Sequence, residues 1–125
     1  ADGACTDKFI ELSGEAGKGV ICSQAGMPLS QMAKGAQFNT DYEKAFPGQK
    51  VQIYSPFSYD ATFAIVAAMK LANSTDPEAI AAAMPKVSFD GLIGNIAFDD
   101  KGDIKGGAIS IFEVKDKLEV AEIVK

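Results

Sequence analysis

Histidine is missing from this chain altogether. That removes the commonest general base and the commonest metal ligand, so hydrolase and zinc-site readings have little to stand on. Cysteine is scarce. Cys5 and Cys22 are the two, and their spacing matches neither a zinc motif nor a thioredoxin-type pair. Two readings stay open for them: a disulfide, if the compartment is oxidising, or buried thiols acting as small hydrophobes. A bridge would close a short loop and contribute about 3 kcal/mol in the chain-entropy account. Basic charge is also lacking. With 12 Lys and Arg against 17 Asp and Glu, the net charge is −5. The isoelectric point near 4.6 argues against nucleic acid and against an anionic membrane surface. The longest nearly apolar run, Ala61 to Met69, falls far short of the roughly 20 residues that span a bilayer. No signal peptide is visible, which fits a mature or trimmed protein as well as a cytosolic one.

What is present suffices for one ordinary core: 125 residues, 47% hydrophobic and 23% charged. Thr6 reads as an N-cap with Asp7 in the first helical turn. Phe9, Leu12 and Ala16 supply an inward stripe that Gly17 to Gly19 end. Val20 to Ser23 is a short strand. A second helix carries Phe38, Tyr42 and Phe46 at i, i+4 and i+8 and stops at Pro47-Gly48. That aromatic stripe is expected to be core packing. Val51 to Tyr54 reads as a strand, and Ser55-Pro56 as an N-cap with proline at N1 of a third helix, Phe57 to Leu71. This helix is apolar nearly all round and should be buried against more than one neighbour. Thr75-Asp76-Pro77-Glu78 reads as a capping box for a fourth helix that Pro85 terminates. Strands are expected near Leu92 to Phe98, Gly107 to Val114 and Leu118 to Val124, the last two joined at Lys115-Asp116-Lys117 as a hairpin. Alternating strands and helices give the fold class α/β. The central helix is too apolar for so small a domain, which suggests that further chain covers part of it.

The chemistry-bearing clusters have bland readings. Asp99, Asp100 and Asp103 around Gly102 invite a calcium loop, but the EF-hand register would put Ala97 and Ala108 at its first and twelfth positions. A solvated turn with Gly102 at positive φ accounts for the cluster better. Gly91, Gly94, Gly102, Gly106 and Gly107 lack the Gly-Lys-Ser/Thr of a phosphate loop. No nucleophile elbow is visible, so no catalytic residue, cofactor or metal is assigned and the chain is not expected to be an enzyme.

Four stretches stand out, in order: Ala1-Asp2-Gly3-Ala4-Cys5-Thr6, Ile53-Tyr54-Ser55-Pro56-Phe57-Ser58-Tyr59-Asp60-Ala61, Asn73-Ser74-Thr75-Asp76-Pro77, and Gly94-Asn-Ile-Ala-Phe98-Asp99 running on to Gly102-Asp103. Together they resemble the C-terminal part of the substrate-binding proteins of branched-chain amino-acid ABC transporters. These are type I periplasmic binding proteins of the leucine/isoleucine/valine-binding family, and the resemblance runs from Asp2 to Lys125. It implies a two-lobe α/β fold with the chain crossing between lobes: residues 1–24 and 107–125 in the C-terminal lobe, 25–106 in the N-terminal lobe. It implies an amino-acid ligand held in the interlobe cleft, delivery to a membrane permease, and a periplasmic location. In an exported protein the cysteines are expected to be bridged.

The resemblance also implies site residues. An acidic residue in this family's Gly-x-(Asp/Glu)-Gly word meets the ligand's α-ammonium, and Asp2-Gly3 stands where that word falls. A carboxylate in a closing cleft makes a charge-assisted hydrogen bond to an ammonium, roughly twice as strong as a neutral one. Phe57, and next Tyr54, are the candidates for an aromatic packed on the ligand's aliphatic side chain, with core packing the alternative. The rest of the cleft would lie in chain upstream of these residues. The 125 residues are therefore expected to be a piece of a longer protein, and the third helix either to pair with another chain or to stay partly open. A ligand-sensing regulatory domain of the same superfamily is the alternative function.

Overall fold

The computed structural model describes residues 2–125. They form two compact units, one from the residues up to Pro28 together with Gly107–Lys125, the other from Leu29–Gly106.

The first unit is a three-stranded antiparallel sheet of β1 (Ile21–Ala25), β4 (Ile109–Val114) and β5 (Leu118–Val124), in the order β1-β4-β5. Cys22 faces Phe112 across one ladder and Val114 faces Leu118 at the mouth of the β4–β5 hairpin. In the central strand, side chains 110, 112 and 114 point inward and the alternate ones do not, the period of two of a sheet with one covered face. Ser110, buried among them, donates to the Gly26 carbonyl at 2.7 Å. Cys5 and Cys22 form a disulfide, Cα to Cα 5.7 Å, and with Phe112 they are the core of the unit, flanked by Ala4 and Leu118. Helix α1 (Asp7–Ser13) starts as expected, with Thr6 Oγ1 accepting from Phe9 N–H at 3.1 Å. It ends earlier than the periodicity suggests. Gly14 takes φ +52° and the chain continues as a 3-10 turn, so the apolar stripe is cut and Leu12 stays exposed.

The second unit packs α3 (Ser55–Ala72) against α4 (Pro77–Ala83) and the small hairpin β2 (Ser88–Asp90) and β3 (Asn95–Ala97), with α2 (Gly35–Ala45) preceding them. Its core is Ala64, Ala68, Ala83, Val87 and Ile96, with Ile80, Phe89 and Phe98 packed on it. Alanines on both helices allow the close approach. The cap of α4 is Asp76, whose Oδ1 accepts from Glu78 and Ala79 N–H at 3.0 Å each, rather than Thr75. Ser55 likewise does not cap α3. Its Oγ accepts from Gln52 N–H at 3.1 Å, and Tyr54 is the cap residue.

Two further expectations meet a different outcome here, and a third, that α3 stays partly open, is met. Val51 to Tyr54 carries no strand, because the second unit offers this β-branched stretch no neighbour to pair with. Helix α3 buries one stripe, Pro56, Asp60, Ala64 and Ala68 at i+4 steps, and leaves Phe63, Ile65, Val66 and Leu71 exposed. The α2 aromatic stripe is not core: Phe46 is 49% exposed, and Phe38 and Tyr42 are half-buried.

Candidate functional site

In the second unit, the half-open stripe of α2 faces aromatic residues of α3. Phe38 stacks edge-on against Tyr59 at 5.3 Å between ring centroids. Tyr59 packs with Phe63 at 4.9 Å, and Tyr42 with Phe46 at 5.0 Å. These spacings suit tilted and T-shaped aromatic pairs. The rings line a hollow of about 950 Å³ that Tyr54, Ser55 and Ser58 enter from the start of α3 and Asp90 to Leu92 close from the end of β2. That is the upper end of the size of small-ligand sites, which are apolar with a few placed polar groups.

The wall at residues 90–93 is held by one buried carboxylate. Asp60, 2% exposed and the one acidic residue of α3, accepts from Leu92 N–H at 2.9 Å and from Ile93 N–H at 2.8 Å. Gly91 allows this approach, since a Cβ there would lie 2.5 Å from Asp60 Oδ2 and 2.8 Å from Ile96 Cγ1. Lys34, at the start of α2, reaches the same loop, donating to the Asp90 carbonyl at 2.7 Å and pairing with its carboxylate at 2.9 Å. The chain pins this loop from two helices.

Of the residues singled out from sequence, Tyr54 lines the large hollow and is 49% exposed. Phe57, one turn along α3, turns to a different surface: a small apolar hollow of about 130 Å³ shared with Ile93, Ile96, Phe98 and Ile104. The two aromatics therefore do not share one wall. Asp2 belongs to the other unit. It is exposed and opens a single 3-10 turn, Asp2–Ala4, in which its Oδ1 accepts from Gly3 N–H at 2.8 Å. Asp60 and Lys34 were not anticipated. The signal for Asp60 was a lone acid within an apolar helix. Lys34 carried none, because its partner lies 56 residues away.

The acidic cluster is occupied by its own backbone. Asp99 Oδ1 accepts from Lys101 and Asp103 N–H at 2.9 Å each, and Gly102 takes φ +90°. The Asp103 and then the Lys101 amide hold the Asp99 carboxyl below its ordinary range. Among the described residues, no group of three His, Cys, Asp or Glu could hold a metal ion, and no helix is long and apolar enough to cross a membrane.

Comparison with known proteins gives this geometry its context. The Leu/Ile/Val-binding protein homolog 1 of Brucella abortus is 32% identical over 107 residues, 83% of this chain and 28% of its own length. The leucine binding protein LivK of Thermotoga maritima superposes with a TM-score of 0.81 at 25% identity, over 99% of this chain and 36% of that one. A substrate-binding protein of an ABC transporter from Desulfitobacterium hafniense, solved in complex with Leu, has a TM-score of 0.67 at 21% identity over 83% of this chain and 31% of its own, a likeness of fold. The chain thus spans about a third or less of the proteins it resembles, which are solute-binding proteins and not enzymes. Residues 4–118 match the periplasmic binding protein family, and the chain belongs to it.

Proposed function

We propose that these residues are part of the solute-binding component of an ABC importer that takes up branched-chain or related amino acids from the periplasm. The observation that carries the reading is the 32% identity with a Leu/Ile/Val-binding protein homologue, sustained over 107 residues. The division of the chain supports it. The first unit is assigned to one lobe and the second to the other, with the ligand held in the cleft between lobes and lobe closure signalling to a membrane permease.

In this reading the Asp2 carboxylate receives the ligand's α-ammonium, and Tyr54 offers an aromatic edge to its aliphatic side chain. Tyr54 is the better placed of the two aromatics, because it opens onto the large hollow whereas Phe57 lines the small one with Ile93, Ile96 and Phe98. The apolar faces left open on α3 would pack against further polypeptide, from the rest of the protein or from a second copy.

The test is calorimetry on the full polypeptide that carries these residues. Leucine, isoleucine and valine should bind, and Asp2→Ala should weaken binding by about 2 to 5 kcal/mol, since it leaves a buried ammonium unpaired. Unchanged affinity in Asp2→Ala would remove Asp2 from the site. Absence of binding by all three amino acids would remove the ligand class.

A further inference from the structure

The chain passes between its two units twice, after Pro28 and before Gly107. A glycine in the left-handed region stands at each passage: Gly26 at φ +78° and Gly106 at φ +67°. Other residues hold such a φ only under strain, and hinges are commonly a few small residues at the ends of elements. By composition alone these would be two independent flexible links.

They are tied to each other within the first unit. Gly26 N–H donates to the Ala108 carbonyl at 2.6 Å, and Gly26 forms a parallel bridge with Ile109 just beyond the antiparallel β1–β4 ladder. The Ser110 hydroxyl donates to the Gly26 carbonyl at 2.7 Å. Both backbone polar groups of Gly26 are thus taken by the segment that follows the other passage. Ser110 is the unexpected member. It is 1% exposed on the inward face of β4, where the residues at the next two-residue steps are Phe112 and Val114. A hydroxyl buried in such a place costs stability unless it is bonded, and an apolar side chain would fill it without that cost. The bond it makes goes across 84 residues of sequence to the first link itself.

We propose that Ser110 is a positioning residue for lobe closure: its hydroxyl latches the first link to the second, so that the two bend together. Without the latch one backbone bond is left to hold them. Gly26-Met27-Pro28 and Gly106-Gly107-Ala108 then move more independently, and the empty protein samples more arrangements. The ligand-held closed state gains no such freedom, so closure becomes more costly and binding weaker. This inference rests on the reading of the units as two lobes that close on an amino acid, and it names what couples the links between them.

Pulsed dipolar spectroscopy on the full polypeptide tests it, with spin labels at Lys44→Cys and Glu122→Cys, exposed positions in the second and first units. Without ligand, Ser110→Ala should give a broader distribution of label distances than the parent protein. With leucine bound the two distributions should coincide, and calorimetry should find leucine held about threefold more weakly, the loss expected for one neutral hydrogen bond. Ser110→Thr keeps a hydroxyl and should restore both the narrow distribution and the affinity. A ligand-free distribution in Ser110→Ala as narrow as the parent's, unchanged leucine affinity beside a broadened one, or equal broadening in Ser110→Thr would overturn the inference. If the parent protein binds no leucine, the ligand class fails, and the ligand-free distributions still decide the latch. Should Ser110→Ala fail to fold, hydrogen exchange on the parent decides. The Gly26 amide should be as protected as that of Val114, which donates to the Val20 carbonyl at 2.9 Å, and exchange as fast as at exposed Gly107 would overturn the latch.

Discussion

Asp60 shows how much one side chain can decide. A carboxylate buried in an apolar helix is costly unless its oxygens are satisfied, and here both oxygens meet backbone amides of the loop after β2. The same bonds satisfy the buried Leu92 N–H and set the wall of the large hollow. Asp60→Ala would strand those amides and is expected to cost on the order of 3 kcal/mol, with Asp60→Asn costing less because one acceptor remains. Urea unfolding of the two variants checks this, and a loss below about 0.5 kcal/mol for the alanine would show that the loop does not depend on the carboxylate. Asp99 makes a prediction of a different kind. Its amide bonds favour the charged form, so the folded-state pKa lies below the unfolded one. Its contribution to stability is present above the ordinary carboxylate range and disappears as pH falls through the depressed folded value. A carboxyl-resolved NMR titration should find Asp99 titrating below a free aspartate, and a midpoint at or above the free value would contradict the turn geometry. Neither role could be read from residue type alone. Asp99 was legible as a turn because its bonds are local, whereas Asp60 finds its partners 32 and 33 residues away.

At the scale of elements, legibility follows the same division between local and distant causes. Several local signals were readable, namely Thr6 at the start of α1, the breaks at Pro47 and Pro85, and the hairpin turn at 115–117. The caps of α4 and α3, however, are Asp76 and Tyr54, each one residue from the expected Thr75 and Ser55. The larger failures came where a distant partner decides. Val51 to Tyr54 has the composition of a strand, but composition supplies no neighbour, and with none alongside it Val51 and Gln52 are irregular and Ile53 and Tyr54 form a turn. The stripe Phe38, Tyr42, Phe46 had the spacing of a core face, and what it meets is a second aromatic row on α3 across an open hollow. The candidate site was therefore half visible. Tyr54 came from a resemblance, while the groove around it came from the pairing of two helices that periodicity cannot foresee. Hydrogen exchange gives the check on the unpaired segment. In the 125-residue chain the amides of Val51 and Ile53 should exchange at least about a hundredfold faster than those of Phe112 and Val114 in the central β4. Equal protection would mean that 51–54 is paired in solution.

For the molecule as a whole, the decisive quantity is apolar surface left uncovered. The first unit compensates for its few buried residues with a covalent bridge in its core, as small domains commonly do. The second unit has no such staple. Its α3 is 18 residues long and buries one stripe, leaving Phe63 49%, Ile65 45%, Val66 40% and Leu71 55% exposed. Tyr59 and Phe46 add exposed aromatic surface beside them. Isolated exposed hydrophobes are ordinary, but a contiguous patch beyond a few hundred Å² marks an interaction surface or an aggregation liability. The sequence relatives are more than three times as long as the stretch they share with this chain, so they contain polypeptide that could cover such a face. The 125 residues prepared alone are therefore expected either to associate, with apparent mass rising with concentration in sedimentation, or to stay monomeric and bind a hydrophobic reporter dye. Phe63→Ser with Val66→Ser, both on the exposed side of α3, should reduce association or dye binding while leaving the far-ultraviolet dichroism unchanged. The pair lies outside the buried stripe of Pro56, Asp60, Ala64 and Ala68, so little stability should be lost. A monomer that binds no dye and loses several kcal/mol on that double substitution would mean that the α3 face is already buried within the chain, and the proposed packing against further polypeptide would fall.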